Sequence, residues 1–261
     1  MRRLIVTGDD FGRSQDVNAA IETAHQNGIL SAASLMVAEE AAQDAVARAK
    51  RLPGLRVGLH IAVVRARGLT PPGGRLSDRQ IAASLAIAFS PRARRDLARE
   101  IEAQFEAFAR TGLALDHVNG HCHMHLHPVV RDLILTIGPR YGMKAMRMVV
   151  PPRRSHAGAG ARIEQFVIAH WSAAMRQRLD DLHLASNDRL FGLAETGRMS
   201  ADALLGILEQ LPDGVSEIYC HPGGDGGRLE TGALCDPRVK AQLRDLGLVP
   251  CGFADISGAG A

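Results

Sequence analysis

The sequence predicts an α/β protein, a (β/α) barrel of seven irregular strands. Short apolar runs alternate with amphipathic stretches along the chain, the pattern of parallel strands joined by helices. Its 261 residues suit one barrel or one doubly wound domain. Polar, chemically useful residues close the first, third, fourth, fifth and seventh runs, as they do at the C-terminal rim of a barrel. A doubly wound sheet would gather them at one switch point, and no GxGxxG turn or Walker loop follows the first run.

Arg3-Leu-Ile-Val-Thr7 reads as a buried strand ending in Gly8-Asp9-Asp10. Ser14 caps a helix through Asn27, which Gly28 stops. Residues 31–37 form the second strand and 41–52 a helix, and Pro53-Gly54 turns the chain into a third strand over 56–62. Residues 64–76, with Pro71-Pro72-Gly73-Gly74, read as a loop or lid within an insertion near 64–92. Apolar positions 97, 101, 105 and 108 place a long amphipathic helix over 93–110. The fourth strand region is 115–126, followed by a helix over 129–141 and a fifth strand over 144–149. A second insertion near 150–162 is rich in Pro, Arg and Gly. A helix over 163–182, a strand over 189–193, a helix over 200–211, a strand over 216–221 and a helix over 237–246 complete one domain spanning 1–261.

Composition narrows the function. With 46% hydrophobic and 23% charged residues, the chain is neither disordered, collagen-like nor a coiled coil overall. No uncharged apolar run approaches the roughly 18 residues that span a bilayer. The apolar start is too short for a signal peptide and runs straight into acid, so a cytoplasmic protein is expected. Of 31 basic residues only Lys50, Lys144 and Lys240 are lysines, an Arg bias read as genomic composition. Aromatics are 4% with one Trp, which leaves no stacking platform for nucleic acid. The net charge of +3 is compatible with peripheral contact at the inner face of an anionic membrane. Cys122, Cys220, Cys235 and Cys251 form no CxxC pair and read as reduced thiols.

Histidine is the residue in excess: five of the 11 fall between His117 and His127. In His117-Val-Asn119-Gly-His121-Cys-His123-Met-His125-Leu-His127 every odd position is polar, so a regular strand would put all six on one face. Like-facing strand residues are about 6.6–6.8 Å apart. One metal can therefore take one or two of them, leaving the others to contact substrate or orient ligands. Asp9-Asp10 alone would be an ordinary solvated turn or helix cap. Neighbours on an extended segment point to opposite sides, so one acid can bind a metal while the other acts as a base. His60 closes the third strand, and His221 closes the seventh before Pro222-Gly223. One Asp and two His with open positions make a hydrolytic metal site, where the cation lowers the pKa of bound water and polarises a carbonyl. One divalent ion is expected; Zn, Mg, Mn, Co and Ni all suit neutral imidazoles and a carboxylate.

Gly8-Asp9-Asp10-Phe11-Gly12, Val57-Gly58-Leu59-His60, Asn119-Gly-His121-x-His123-x-His125 and Cys220-His221-Pro-Gly223 together resemble the YdjC-like (ChbG) carbohydrate deacetylase family, in the same order over nearly the whole chain. The resemblance implies a barrel related to polysaccharide deacetylases and metal-dependent removal of an acetyl group from an N-acetylated sugar. It implies Asp9 as general base, His221 as acid, and Asp10, His60 and His121 as metal ligands. His125 is the substitute ligand; His123 and Asn119 contact substrate or support the ligands. Arg147 resembles a family arginine near the site that holds a carboxylate or sugar oxygen. The family usually has Asp-Ser where this chain has Asn119-Gly120, and Asn119 can hydrogen-bond an imidazole but brings no negative charge. Thr7–Asp10, His117–His125 and Asn187–Gly192 look most like the hopanoid-biosynthesis branch, HpnK, which implies an N-acetylglucosaminyl hopanoid as substrate. Soluble chitooligosaccharide is the alternative substrate. A metal- or sugar-binding barrel without catalysis is the alternative class. A two-metal phosphoesterase would need a second acidic cluster, which the sequence lacks.

Overall fold

The computed structural model describes residues 2–70, 74–150, 159–224 and 226–256. The elements run β1 (Arg2–Phe11), α1 (Gln15–Asn27), β2 (Ala32–Leu35), α2 (Ala42–Arg51), β3 (Arg56–Ile61), β4 (Arg67–Gly68), β5 (Gly74–Arg75), α3 (Gln80–Phe89) and α4 (Pro91–Arg110). They continue through β6 (Val118–Gly120), α5 (Pro128–Ile137), α6 (Ala159–Asp181), β7 (Arg189–Phe191), α7 (Ala201–Glu209), β8 (Gly214–Cys220), α8 (Gly227–Cys235) and α9 (Pro237–Asp245).

Six strands form one parallel sheet in the order β6-β3-β2-β1-β8-β7. The predicted fifth strand, 144–149, lies between its two edges as an irregular seventh member. It touches them through single bridges, Val118↔Met146 and Ala145↔Ala185, rather than a ladder. Further along, the buried Asn187 side chain replaces a backbone partner: Met148 N donates to its Oδ1 at 2.7 Å and its Nδ2 donates to Met148 O at 2.8 Å. The sheet therefore curls into the expected irregular barrel.

Ser14 and Ser200 cap the helices the sequence opens at these residues, accepting from Val17 N and Ala203 N, whereas Ser90 accepts from Ala93 N ahead of Pro91 and starts α4 two residues before the expected 93. Two helices were not expected. α3 lies in the predicted insertion near 64–92 and carries no buried apolar stripe, and α8 follows a glycine-rich turn that reads as loop. The small β4–β5 pair lies in the same insertion. The predicted insertion near 150–162 falls, up to residue 158, outside the described residues, and 159–162 open α6.

Strand parity organises the interior. Leu4, Val6, Ala33, Leu35, Val57, Leu59, Val118 and Met146 face the helices in one large apolar core. The alternate positions point into the barrel. At its N-terminal end Ile5, Ala32 and Ala145 pack with Phe253, whose segment pairs with β1 through Cys251 N to Leu4 O at 2.9 Å. Above this apolar plug the interior becomes polar, with Thr7, Ser34, His117, Asn119, Arg147 and Glu217 all buried. Gly58 makes this layer possible, since a Cβ there would lie 2.5 Å from the His117 ring. No helix among the described residues is long and apolar enough to cross a membrane.

Candidate active site

The site sits where β1, β3, β6 and β8 end. β1 pairs with β2 at Gly8↔Ala33 and next at Phe11↔Leu35, so one extra residue is absorbed between them. Asp10 takes up the irregularity with a left-handed φ of 64°. The acids of a regular strand would point to opposite faces. Here the bulge turns both inward, and they are buried at 2% and 5% exposure. A left-handed backbone costs an L-residue about 1–2 kcal/mol, so the surrounding contacts must hold Asp10 in this shape.

The histidine segment departs further from expectation. β6 stops at Gly120, and His121–Leu126 form a 3-10 turn with left-handed Cys122 and His123, at φ 53° and 54°. The six polar side chains therefore do not share one strand face. His117 points to the barrel floor, between Asp116 Oδ2 at 2.8 Å and Ser34 Oγ at 3.0 Å. His127 leaves the site and packs edge-on against Trp171.

Asp10, His60 and His121 converge, each presenting one ligand atom within 4.8 Å of the others. Asp10 Oδ1 lies 3.3 Å from His60 Nε2 and 3.0 Å from His121 Nδ1, while Arg13 donates to Oδ2 at 2.6 Å. Hydrogen bonding orients His60. Asn119 Nδ2 donates to Asp9 Oδ1 at 3.1 Å and Ser34 Oγ at 2.8 Å, and Asn119 Oδ1 lies 2.6 Å from His60 Nδ1. A carboxylate only accepts, so the amide nitrogen must face Asp9 and its oxygen must face His60. Nδ1 then carries the proton, and a neutral His60 turns the lone pair of Nε2 toward Asp10. Two acceptors at 3.3 Å repel unless a proton or a cation lies between them. One carboxylate and two imidazole nitrogens converging in this way fit a divalent cation. Burial disfavours a charged His121, but its hydrogen bond to Asp10 outweighs this and lifts the ring to about 10. A cation would take the place of that proton. Burial likewise opposes ionisation of Asp10, yet the bond from His121, joined by one from His60 when that ring carries a second proton on Nε2, holds it well below the usual carboxylate range.

Asp9 lies in a separate ion cluster. Arg147, fully buried, donates to Asp9 Oδ2 at 2.5 Å and Oδ1 at 3.0 Å. It also gives two bonds, at 3.0 and 2.8 Å, to Glu217 Oε1, which accepts a third from Thr7 Oγ1 at 2.7 Å. Burial pushes the Asp9 carboxyl up, but Arg147 above all holds it far below its ordinary value. Arg147 thus grips two carboxylates of its own chain. It has no exposed surface with which to hold a sugar oxygen, which corrects that part of the expectation.

His123 Nε2 is 3.4 Å from Tyr219 Oη, which pairs with Thr196 Oγ1 at 2.8 Å. Burial and then Arg147 push His123 down to about 3, and His125, with neither ring nitrogen partnered, is also held well below its usual value. Both are neutral imidazoles. His221 closes β8 with its backbone N–H donating to Glu230 Oε2 at 2.5 Å. Its ring packs edge-on to Tyr219 at 5.4 Å, and its Nδ1 is buried without a partner. Glu217 and Tyr219 were not singled out from the sequence. The signal was present: Glu217, Tyr219 and His221 are spaced two apart on β8, as Thr7 and Asp9 are on β1.

A family profile described as YdjC-like protein matches residues 3–245. A carbohydrate deacetylase of Brevibacillus brevis is 34% identical over 94% of this chain and 90% of its own. Among solved structures, a protein of Enterococcus faecalis V583, provisionally described as a cellobiose-phosphate cleavage protein, superposes with a TM-score of 0.74 at 17% identity, covering 98% of both chains. A mutant CE4-family pseudoenzyme with restored activity superposes at 0.50 with 10% identity, over 98% of this chain and 67% of its own. At these identities the two structures establish the fold alone, a curled parallel α/β barrel.

Proposed function

The chain belongs to the YdjC-like family, and from that premise we propose that it is a carbohydrate deacetylase hydrolysing the acetamide of an N-acetylglucosaminyl group with one divalent cation. The observation that carries this reading is the pair of buried carboxylates turned into one pocket by the β1 bulge. One is held ionised by Arg147, and the other faces two imidazoles. Asp10, His60 and His121 are assigned to the cation, which when bound polarises the acetamide oxygen and acidifies water. Its identity among Zn, Mg, Mn, Co and Ni is left to the donor set, which suits all of them.

Asp9 accepts the proton of the attacking water. Arg147 and Asn119 keep it charged and aimed; they also weaken it as a base, so it serves only toward water that is already acidic. His221, at the end of the neighbouring strand β8, protonates the departing amine. His123, partly exposed, offers its ring edge to the sugar, and the fully buried His125 packs behind it at 6.0 Å between ring centres. The whole chain acts as one catalytic domain. The resemblance to the hopanoid-biosynthesis branch favours a lipid-borne N-acetylglucosaminyl headgroup reached from the cytoplasmic side. Similarity to carbohydrate deacetylases favours soluble chitooligosaccharide as the second reading.

Acetate release by Asp9→Asn tests the chemistry. Loss of a positioned base predicts a fall of about 10²–10⁴-fold with metal content unchanged. Retention of most activity at equal metal occupancy would remove Asp9 from the role of base, whereas absence of acetate release from the wild type on either substrate would favour the non-catalytic binding class. Assaying an N-acetylglucosaminyl hopanoid and diacetylchitobiose with one preparation separates the substrates, and a clear preference for the soluble sugar would sink the lipid reading.

A further inference from the structure

Helix α3 has its apolar side outward. Its ten residues, Gln80–Phe89, contain no charge. A surface helix normally buries its apolar stripe. Here only Ile87 is buried, while Ile81, Leu85 and Phe89, spaced four apart on one face, are 78%, 55% and 82% exposed. The opposite side rests on the active-site turn. Gln80 Nε2 donates to Cys122 O at 3.2 Å, and Ser84 Oγ lies 4.0 Å from Met124 Sδ.

Arginines stand at both ends of α3 and along the start of α4, where Arg92 and Arg99 share Asp96 at 3.9 and 3.6 Å. Residues 76–99 carry Arg79, Arg92, Arg94, Arg95 and Arg99 against Asp78 and Asp96. That local excess of three positive charges equals the formal net charge of the whole chain, +3. All five arginines are exposed, and Arg94 also caps the end of α3 by donating to Ile87 O at 2.9 Å and to Ala88 O. An exposed apolar face with a local excess of arginine beside it is the pattern of a helix lying in a membrane interface: acyl chains cover the stripe and anionic headgroups meet the guanidinium groups. A second copy of the chain fits less well, because a two-fold contact through this face would bring the same arginines together.

We propose that α3 docks the protein on an anionic lipid surface, with the turn His121–Leu126 of the candidate site held next to that surface. The docking rests on α3 and its arginines alone. The lipid origin of the sugar, proposed above, is what it would support.

The test is flotation of the full chain with vesicles of phosphatidylcholine alone or of phosphatidylcholine mixed with phosphatidylglycerol. The wild type should float with the anionic vesicles only, and less at high salt. Ile81→Ser/Leu85→Ser/Phe89→Ser and Arg79→Gln/Arg92→Gln/Arg95→Gln should each weaken binding by about tenfold or more. Acetate release from soluble diacetylchitobiose should be unchanged in both variants, which shows that they are folded. Failure of the wild type to float, or equal flotation of the apolar-face variant, overturns the docking. So does a solution dimer that this variant converts to monomer, since the face would then belong to a second copy. Absence of hydrolysis of both diacetylchitobiose and the N-acetylglucosaminyl hopanoid by the wild type would count against the deacetylase reading and leave the flotation result standing; where the soluble sugar is not hydrolysed, an unchanged Tm shows that the variants are folded.

Discussion

Replacing Arg147 by Met is the most searching perturbation of the barrel interior. The guanidinium makes two hydrogen bonds to Asp9 and two to Glu217, and all three side chains are buried. Removing it leaves two carboxylates in a dry layer without their cation. Breaking a buried ion pair from one side costs about 3–5 kcal/mol. For a chain of this size that corresponds to a fall in Tm of roughly 6–20 °C. The loss must depend on pH. In the wild type the folded pKa of Asp9 is depressed, so its contribution is present above the ordinary carboxylate value and is lost as pH falls through the folded one. In the variant burial, opposed only by the Asn119 hydrogen bond and the more distant His60 and His221, pushes the folded pKa of Asp9 up, so the penalty is full at neutral pH and shrinks as pH falls toward about 4. Urea unfolding of both proteins at pH 7 and near pH 4 measures this. Adding Asp9→Asn to Arg147→Met removes one orphaned charge and should recover part of the loss, a non-additivity expected of contacting groups. A destabilisation under about 1 kcal/mol at pH 7, or one equal at both pH values, would refute the ionic account of this cluster.

Asn119→Leu should weaken divalent metal binding by about 10–100-fold, read by competition with a chromophoric chelator, because His60 loses the partner that orients its ring. Asn119→Asp, which restores the usual family residue, should not simply improve the site: it places a second carboxylate against Asp9 where an amide now donates, so the acid limb of the activity profile should move to higher pH. Asp116→Asn should cost about 1–3 kcal/mol at neutral pH. The burial that opposes Asp116 ionisation is outweighed by bonds from His117, Ala254 and Phe253, so its folded pKa is lowered and the gap to wild type should close as pH drops below about 4. A gap that stays constant with pH would show that the charge of Asp116 plays no part.

What the sequence made legible was parity. Strand alternation predicts which residues of β1, β3 and β8 face inward, and Asp9, His60 and the start of the turn at His221 lie where that rule puts them. The rule needs only a ladder, and ladders are set by local apolar pattern. α3 escaped because periodicity finds helices by their buried stripe, and this stripe faces outward. The seventh barrel member was read as a regular strand because Ala145-Met146-Arg147-Met148 alternates. Its ladder is missing because Asn187 supplies a side-chain amide where a neighbouring backbone would have paired, and a partner 39 residues away leaves no local trace.

Left-handed backbone was the part no residue type announced. Glycine and asparagine usually signal it; Asp10, Cys122 and His123 do not. Yet these three residues convert a linear motif into a site. On a regular strand Asp9 and Asp10 would serve opposite faces, and the odd-numbered histidines would stand in a row about 6.6–6.8 Å apart, too widely spaced for a shared centre. The bulge gives the pocket two carboxylates with different partners, Arg147 for one and two imidazoles for the other. The turn sends His121 to Asp10 and leaves His123 and His125 as neutral rings near Tyr219. A surplus of histidine is thereby divided into one residue beside the carboxylate that attracts a cation and two that burial, with Arg147 nearby, keeps neutral. That division follows from two backbone reversals, so a sequence in which the same histidines alternate without them would have the composition of this site and not its chemistry.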